Sequence, residues 1–365
     1  MATAVETATT FSAFTENYIE PGIFDQIFNV KDSPLLKEIG ARWKDWRGEQ
    51  YEIKLEVGEL SMTYYNPATD ITADFTFTTP EIGTEVKYTE VFGYIPIRLP
   101  CYQVDKQPSS AGKLGMLTRY TENARRAFSK ELIAAALEAS PGANEPTSLW
   151  EIINDHNADY GCAAIGGITA DATTNGYWRS HIMEGETTYS VAVSPSLQNF
   201  GYMVTRIERT IGSRPDVIVV HPNLYDVLEA QLNPQQIQTQ ADNRFRNWGY
   251  DSFTIKGVPV IWEDDMPGAT WTSGQNNRAD AAGYEALFIN WEYLRAIETD
   301  KWNMKFHPNG WEIDSTKVPC YHNTLHAWYN WGCSSRRAHG HMFNIDIAQS
   351  PSEYTKGSIT RPVVV

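Results

Sequence analysis

The sequence predicts an α+β protein built around a long two-stranded ribbon and one long helix, and three observations carry that expectation. Residues 49–104 hold runs in which apolar and polar side chains alternate with period two, as in a strand with one exposed face. Residues 110–140 carry apolar side chains at helical spacing without a break. After them, short helices and strands interleave to the end of the chain, the pattern of a mixed helix and sheet body.

In chain order, residues 1–20 are rich in Thr and Ala, polar and without period, and read as an extended arm that needs a surface to lie on. Ile23, Phe24, Ile27 and Phe28 mark a short amphipathic helix. A second begins at Ser33, a good N-cap, with Pro34 in the first helical position and Gly40 at its end. Tyr51, Ile53, Leu55 and Val57 then alternate with Glu52, Lys54 and Glu56. A polar tip runs from Tyr64 to Asp74, with Asn66-Pro67 as its turn, and Phe75 and Phe77 open the return strand. A further alternating run spans Val86 to Leu99. A nine-residue strand reaches about 30 Å, and a two-stranded ribbon of that length is marginal alone in water.

The long helix is capped by Ser109 or Ser110 and stopped by Ser140-Pro141-Gly142. About 28 residues at 1.5 Å each make a rod of roughly 42 Å. Arg119, Arg125, Arg126 and Lys130 lie along it; a solvated face is the plain explanation, and contact with another molecule the alternative. A loop rich in Gly, Ala and Thr covers 161–176. Beyond it the expected elements are a helix from Ser196 to Ile211, a buried strand at Val217–Val220, and a helix entered through His221-Pro222-Asn223. A strand pair over Phe253–Ile261 splits at Gly257, and strands follow at Ala286–Trp291 and Leu294–Ile297. Two more strands are expected within Thr324–Ile345, around a polar turn at 334–337.

Composition narrows the function classes. Of 365 residues, 45 are acidic and 30 basic, a net charge of −15, which argues against a protein that grips a phosphate backbone. It does not argue against a wall that surrounds nucleic acid. The N-terminus lacks the features of a secretory signal, and no apolar run approaches the length of a membrane span, so a soluble product is expected. Cys101, Cys162, Cys320 and Cys333 form no C-x-x-C pair and read as free, mostly buried thiols. Twelve Trp and 19 Tyr suit both a core and an interface.

Candidate chemistry is sparse. His322 and His326 stand four apart, and His339 and His341 two apart, but no Glu follows His322 in the zinc-protease pattern. Packing among Trp328, Trp331 and Phe343 is expected instead. Residues 161–176 lack both phosphate-loop spacings, and no G-x-S-x-G elbow is present. Glu263-Asp264-Asp265 reads as an acidic turn rather than a cation site. No catalytic residue, metal ligand or cofactor-binding residue is expected.

The order of elements, with local phrases, resembles the capsid fold of tailed bacteriophages typified by phage HK97. The phrases are Ile165-Gly166-Gly167-Ile168 followed by Tyr177-Trp178-Arg179-Ser180, Pro215 to Val220 followed by His221-Pro222-Asn223-Leu224-Tyr225, and Ile255-Lys256-Gly257-Val258-Pro259-Val260. The resemblance implies an N-terminal arm at 1–32 and an E-loop at 49–104. It places a peripheral domain at 33–48 and 105–158 with its spine helix at 110–140, and an axial domain at 159–266. A return to the peripheral domain and a C-terminal tail occupy 267–365. It implies a major capsid protein that assembles with itself into hexamers and pentamers around double-stranded DNA, which it encloses without sequence-specific binding. It further implies a separate scaffolding protein, a portal and a decoration protein as partners, in a virion assembled in the host cytoplasm. Contacts between copies are expected at the ribbon tip (Tyr64, Asn66, Asp70), at Phe75 and Phe77 of the return strand, and at Arg119, Arg125 and Arg126. Cross-linking through Lys54 or Lys87 is not expected, since neither occupies the tip. The rival expectations are an encapsulin-type compartment and, from another class, an aromatic-rich carbohydrate-binding or metal-dependent protein.

Overall fold

A computed structural model describes residues 4–19, 27, 33–46, 50–56, 82–138, 142, 144–153, 164–168, 176–183, 194–232, 253–266, 284–299, 304–314, 319–345 and 347. Helix α1 spans Ala4–Phe14 and continues into a π-helical turn, Thr15–Ile19. This corrects the expectation of an extended arm. Thr7, Ala8, Phe11 and Thr15 are buried, a helical stripe whose two threonines hid it from an apolar pattern. Phe11, 1% exposed, meets Trp311 and Tyr321 edge-on at centroid distances of 6.0 and 5.4 Å. Trp311 donates its backbone N–H to Ser12 Oγ (2.8 Å) and its indole N–H to Thr15 Oγ1 (2.9 Å), so the helix is bolted to the body.

Helix α2, Pro34–Gly40, starts as expected, with Ser33 Oγ accepting the N–H of Leu36 at 3.1 Å. Strands β1 (Trp43–Trp46), β2 (Gln50–Glu56), β3 (Ile82–Thr89) and β4 (Val91–Pro100) follow. The chain turns through α3, Cys101–Asp105, into α4, Ser110–Leu137, a 28-residue helix capped by Ser109. Helix α5 is Leu149–Ile153, and β5 is His181–Met183. Helix α6, Leu197–Ile211, buries Phe200, Met203, Val204 and Ile207. Strand β6 (Val217–Val220), α7 (Pro222–Ala230), β7 (Phe253–Ile255) and β8 (Val258–Trp262) come next, β7 and β8 joined by a tight turn at Lys256 and Gly257, both at positive φ. The remaining strands are β9 (Tyr284–Ile289), β10 (Leu294–Thr299), β11 (Lys305–Phe306), β12 (Glu312–Asp314), β13 (Cys320–Cys333) and β14 (Gly340–Ile345).

Among the described residues these strands make two six-stranded sheets and the β2–β3 ribbon. The first sheet is organised by β13, which pairs with β10, β4, β11 and β12, while β1 lies parallel to β10. The second runs β5-β14-β9-β6-β8-β7. Two expected boundaries are corrected. Val91–Pro100 belongs to the first sheet, in register with β13 from Val91↔Tyr329 to Pro100↔Cys320, so the ribbon ends at Thr89. Strands β9 and β14, assigned by the resemblance to the returning segment after residue 266, complete the second sheet. The strands on either side of residues 334–337 therefore lie in different sheets and not in one hairpin.

Buried polar groups line the second sheet and the turn that leads into β14. Arg336 donates to the carbonyls of Ile152 (2.8 Å) and Trp178 (3.3 Å). Asn290 N–H donates to His339 Nδ1 at 3.2 Å, and burial holds that imidazole neutral, its pKa lowered to about 3. Glu285 Oε2 meets His341 Nε2 at 2.8 Å and accepts the indole N–H of Trp150 at 2.6 Å. Each such group, once taken out of water, needs a specific partner.

Candidate functional site

The surface features that stand out are a projecting ribbon and an open sheet face beside its root. In the ribbon, β2 and β3 pair from Gln50↔Thr89 to Glu56↔Ile82. Its root is anchored in the body. Val86 and Tyr88 are buried, Tyr88 Oη donates to Cys333 O at 3.1 Å, and Lys87 N–H donates to Gly166 O at 3.0 Å. Gly166 sits at φ +60° so tightly that a Cβ there would fall 1.9 Å from Val86 Cγ1. Further out, Lys87 Nζ lies between Glu52 (3.2 Å) and Glu85 (3.5 Å), and Glu52 chiefly raises its pKa. The tip residues Tyr64, Asn66 and Asp70, and Phe75 and Phe77 of the expected return strand, lie outside the described residues.

The open face belongs to β4 and β13. Their inward side chains, Ile97, Leu99, Tyr321, Leu325 and Ala327 among them, are buried. Phe92 (60% exposed) stands opposite Trp328 and meets it edge-on at 4.4 Å, and Tyr94 (66% exposed) stands opposite His326. Pro96 pairs with Thr324, and Arg98 with His322. Of the five large hydrophobic side chains that are exposed among the described residues, two, Phe92 and Tyr94, lie on this face. Toward β13's other end, Gly332 faces Ile297 and the ring of Tyr51, and Asn330 Nδ2 donates to Thr89 O at 2.6 Å. The ribbon root covers that part of the sheet and leaves the 92–98 part open.

The period-two reading of Val86 to Leu99 gives this strand two faces, but Phe92, Tyr94 and Pro96 are as apolar as Val91, Ile95 and Ile97, so the pattern does not say which face stays open. The other candidates are scattered. Arg119 and Arg126 are exposed on α4, and Arg125 is half-buried, in no shared cluster with the row.

The histidines do not converge. His322 lies 3.7 Å from Glu312, His326 contacts Thr324 Oγ1 at 2.9 Å, and its ring lies 5.5 Å from that of His307. His326 shares a face with Trp328, and His341 packs on Phe343. Among the described residues no group of three or more His, Cys, Asp or Glu could hold a metal ion. Cys101, Cys320 and Cys333 are free thiols, and Cys162 lies outside the described residues. No described helix is long and apolar enough to cross a membrane.

No protein-family model matches this sequence, and no curated protein does either. Solved structures do. The capsid of cyanophage A-1(L) matches at 14% identity and a TM-score of 0.58, over 87% of this chain and 93% of that one. The SrpI encapsulin of Synechococcus elongatus PCC 7942 matches at 11% identity and a TM-score of 0.51, over 88% and 91%. The capsid of a native GTA particle matches at 12% identity and a TM-score of 0.50, over 85% and 90%. The chain has the HK97-like capsid fold, mixed helix and sheet, over most of its length.

Proposed function

We propose that this chain is a major capsid protein, a structural subunit without catalytic activity that assembles into hexamers and pentamers of an icosahedral phage head around double-stranded DNA. One observation carries the proposal: a shell-protein fold that leaves an aromatic strand face open beside the root of a two-stranded ribbon. An aromatic side chain buries about 150–250 Å², and apolar burial contributes about 25 cal/mol per Å². With Phe92 and Tyr94 about two-thirds exposed, covering them would thus favour association by about 5–8 kcal/mol per subunit before ordering costs are subtracted. The ribbon tip (Tyr64, Asn66, Asp70), Phe75 and Phe77 of the return strand, and Arg119, Arg125 and Arg126 on α4 would supply further contacts between copies. The first sheet with α4 would act as the peripheral domain and the second as the axial domain. A scaffolding protein, a portal and a decoration protein would complete the particle.

An encapsulin-type compartment is the second reading, since an encapsulin is among the structural matches. Electron microscopy of the purified protein, alone and with its scaffold, tests the shell: closed icosahedral particles are expected, and monomers under all conditions would overturn it. Nuclease-protected double-stranded DNA in native particles separates a head from an enzyme compartment. Phe92→Ser with Tyr94→Ser should abolish particles while leaving the subunit's melting temperature within about 2 °C, because both side chains are exposed in the isolated fold.

A further inference from the structure

Glu263 is a buried carboxyl that the shell role leaves unexplained. It follows the last residue of β8 and is fixed there by its own backbone, donating its N–H to Val220 O (3.0 Å) and accepting the N–H of Met266 (3.2 Å). Its side chain does not turn out to water with its acidic neighbours. Glu263 is 3% exposed, and its Oε2 accepts the hydroxyl of Ser33, itself 2% exposed, at 2.6 Å. The same Ser33 oxygen accepts the N–H of Leu36 and so caps α2. One hydroxyl thus joins two elements 230 residues apart, the start of α2 and the end of an axial strand. Leu35, Leu36 and Ile39 of α2 share a core with Ile261 and Met266 on either side of Glu263.

The charges around the carboxyl are unfavourable to its anion. Asp264 and Asp265 adjoin it in the turn and both oppose its ionisation. Lys130 and Glu131 of α4 act on Asp265, and His221 at the start of α7 feels Asp264. In α2, Glu38 lies 3.9 Å from Arg42. No cation among the described residues acts on Glu263 itself. A buried carboxylate with only two neutral hydrogen-bond donors, the Ser33 hydroxyl and the Asp264 N–H, and two acidic neighbours keeps its proton.

We propose that α2 and the end of β8 form a proton-held latch, closed while Glu263 is buried as the neutral acid and opened when α2 moves away and lets the carboxyl ionise; the Ser33 hydroxyl bond by itself favours the anion, and the burial around it is what holds the proton. Burial raises the carboxyl from the ordinary 4.5 to about 8, against the opposing effect of the Ser33 bond. The closed form therefore binds a proton that the open form releases across this interval. Opening becomes easier as pH rises from 4.5 toward 8 and levels off above it. The latch grips in acid and slackens toward alkaline pH, a behaviour independent of what the shell encloses.

Hydrogen exchange of the full-length protein, corrected for the intrinsic pH dependence of exchange, tests this at the Leu36 amide and the rest of α2. The opening constant should rise about tenfold per pH unit between about 5 and 8 and then flatten. Glu263→Gln, whose amide oxygen still accepts the Ser33 hydroxyl, should abolish the slope. A pH-independent opening in the natural protein would overturn the latch, as would an unchanged slope in Glu263→Gln. Should that variant fail to fold, infrared spectroscopy of protein labelled at glutamate decides instead. A buried protonated carboxyl band at pH 7 that fades on titration toward pH 9 supports the proposal, and its absence at pH 7 refutes it.

Discussion

Gly166 is where a single residue governs how the ribbon meets the body. Its positive φ, its carbonyl's bond to Lys87 N–H and its closeness to Val86 let the 164–168 turn press against β3 with nothing between them. Gly166→Ala adds a methyl where Val86 already stands, in a backbone conformation that L-residues disfavour. The substitution should destabilise the protein by about 2–4 kcal/mol. Urea denaturation measures this, and an unchanged midpoint would show that the turn can yield. The sequence marked Ile165-Gly166-Gly167-Ile168 as a recurrent phrase. The reason for the glycine, a side chain 80 residues earlier, appears only when the two segments meet.

At the scale of the element, α1 and the ribbon behave oppositely although both looked like unsupported appendages. Helix α1 is held by Phe11 against two aromatic rings and by two bonds from Trp311. Phe11→Ala should therefore cost about 3–5 kcal/mol of docking and speed amide exchange over residues 8–15 by at least about a hundredfold. Exchange that stays slow would mean that the helix is held elsewhere. The ribbon is held only at its root among the described contacts. Removing residues 60–76 should leave a soluble subunit whose melting temperature is unchanged within about 2 °C, yet which closes no shells under electron microscopy. Shells from the shortened protein would strip the tip of its assigned contacts.

At the scale of the molecule, three buried titratable groups shape stability against pH. His339 is lowered to about 3 and His181 to about 4, both chiefly by burial, so below pH 6.5 the unfolded chain takes up two protons that the folded one refuses. Glu263, raised to about 8, works the other way: between 4.5 and 8 the folded chain holds one proton more than the unfolded chain. From these three groups stability rises with pH up to about 6.5, where the two histidines outweigh the glutamate, and falls from there to about 8, where the glutamate acts alone. Thermal melting across pH 4.5–9 should peak near 6.5, and Glu263→Gln should flatten the alkaline side. A monotonic rise to pH 9 would contradict this balance.

Local order was legible wherever neighbouring residues decide it. The cap at Ser109 with the uninterrupted spacing behind it specified α4, and Ser196 and His221-Pro222 opened α6 and α7 as expected, because capping and amphipathic burial act within a few turns. Tertiary structure alone decided that Val91–Pro100 joins β13 rather than the ribbon, that β13 and β14 separate into two sheets, and that Phe92 and Tyr94 stay uncovered while Ile97 and Leu99 do not. It also decided that threonines 7 and 15 face a core and that Glu263 reaches Ser33. A strand's alternation states that it has two faces but not what lies against each. That depends on segments hundreds of residues away, whose arrival the local sequence does not encode.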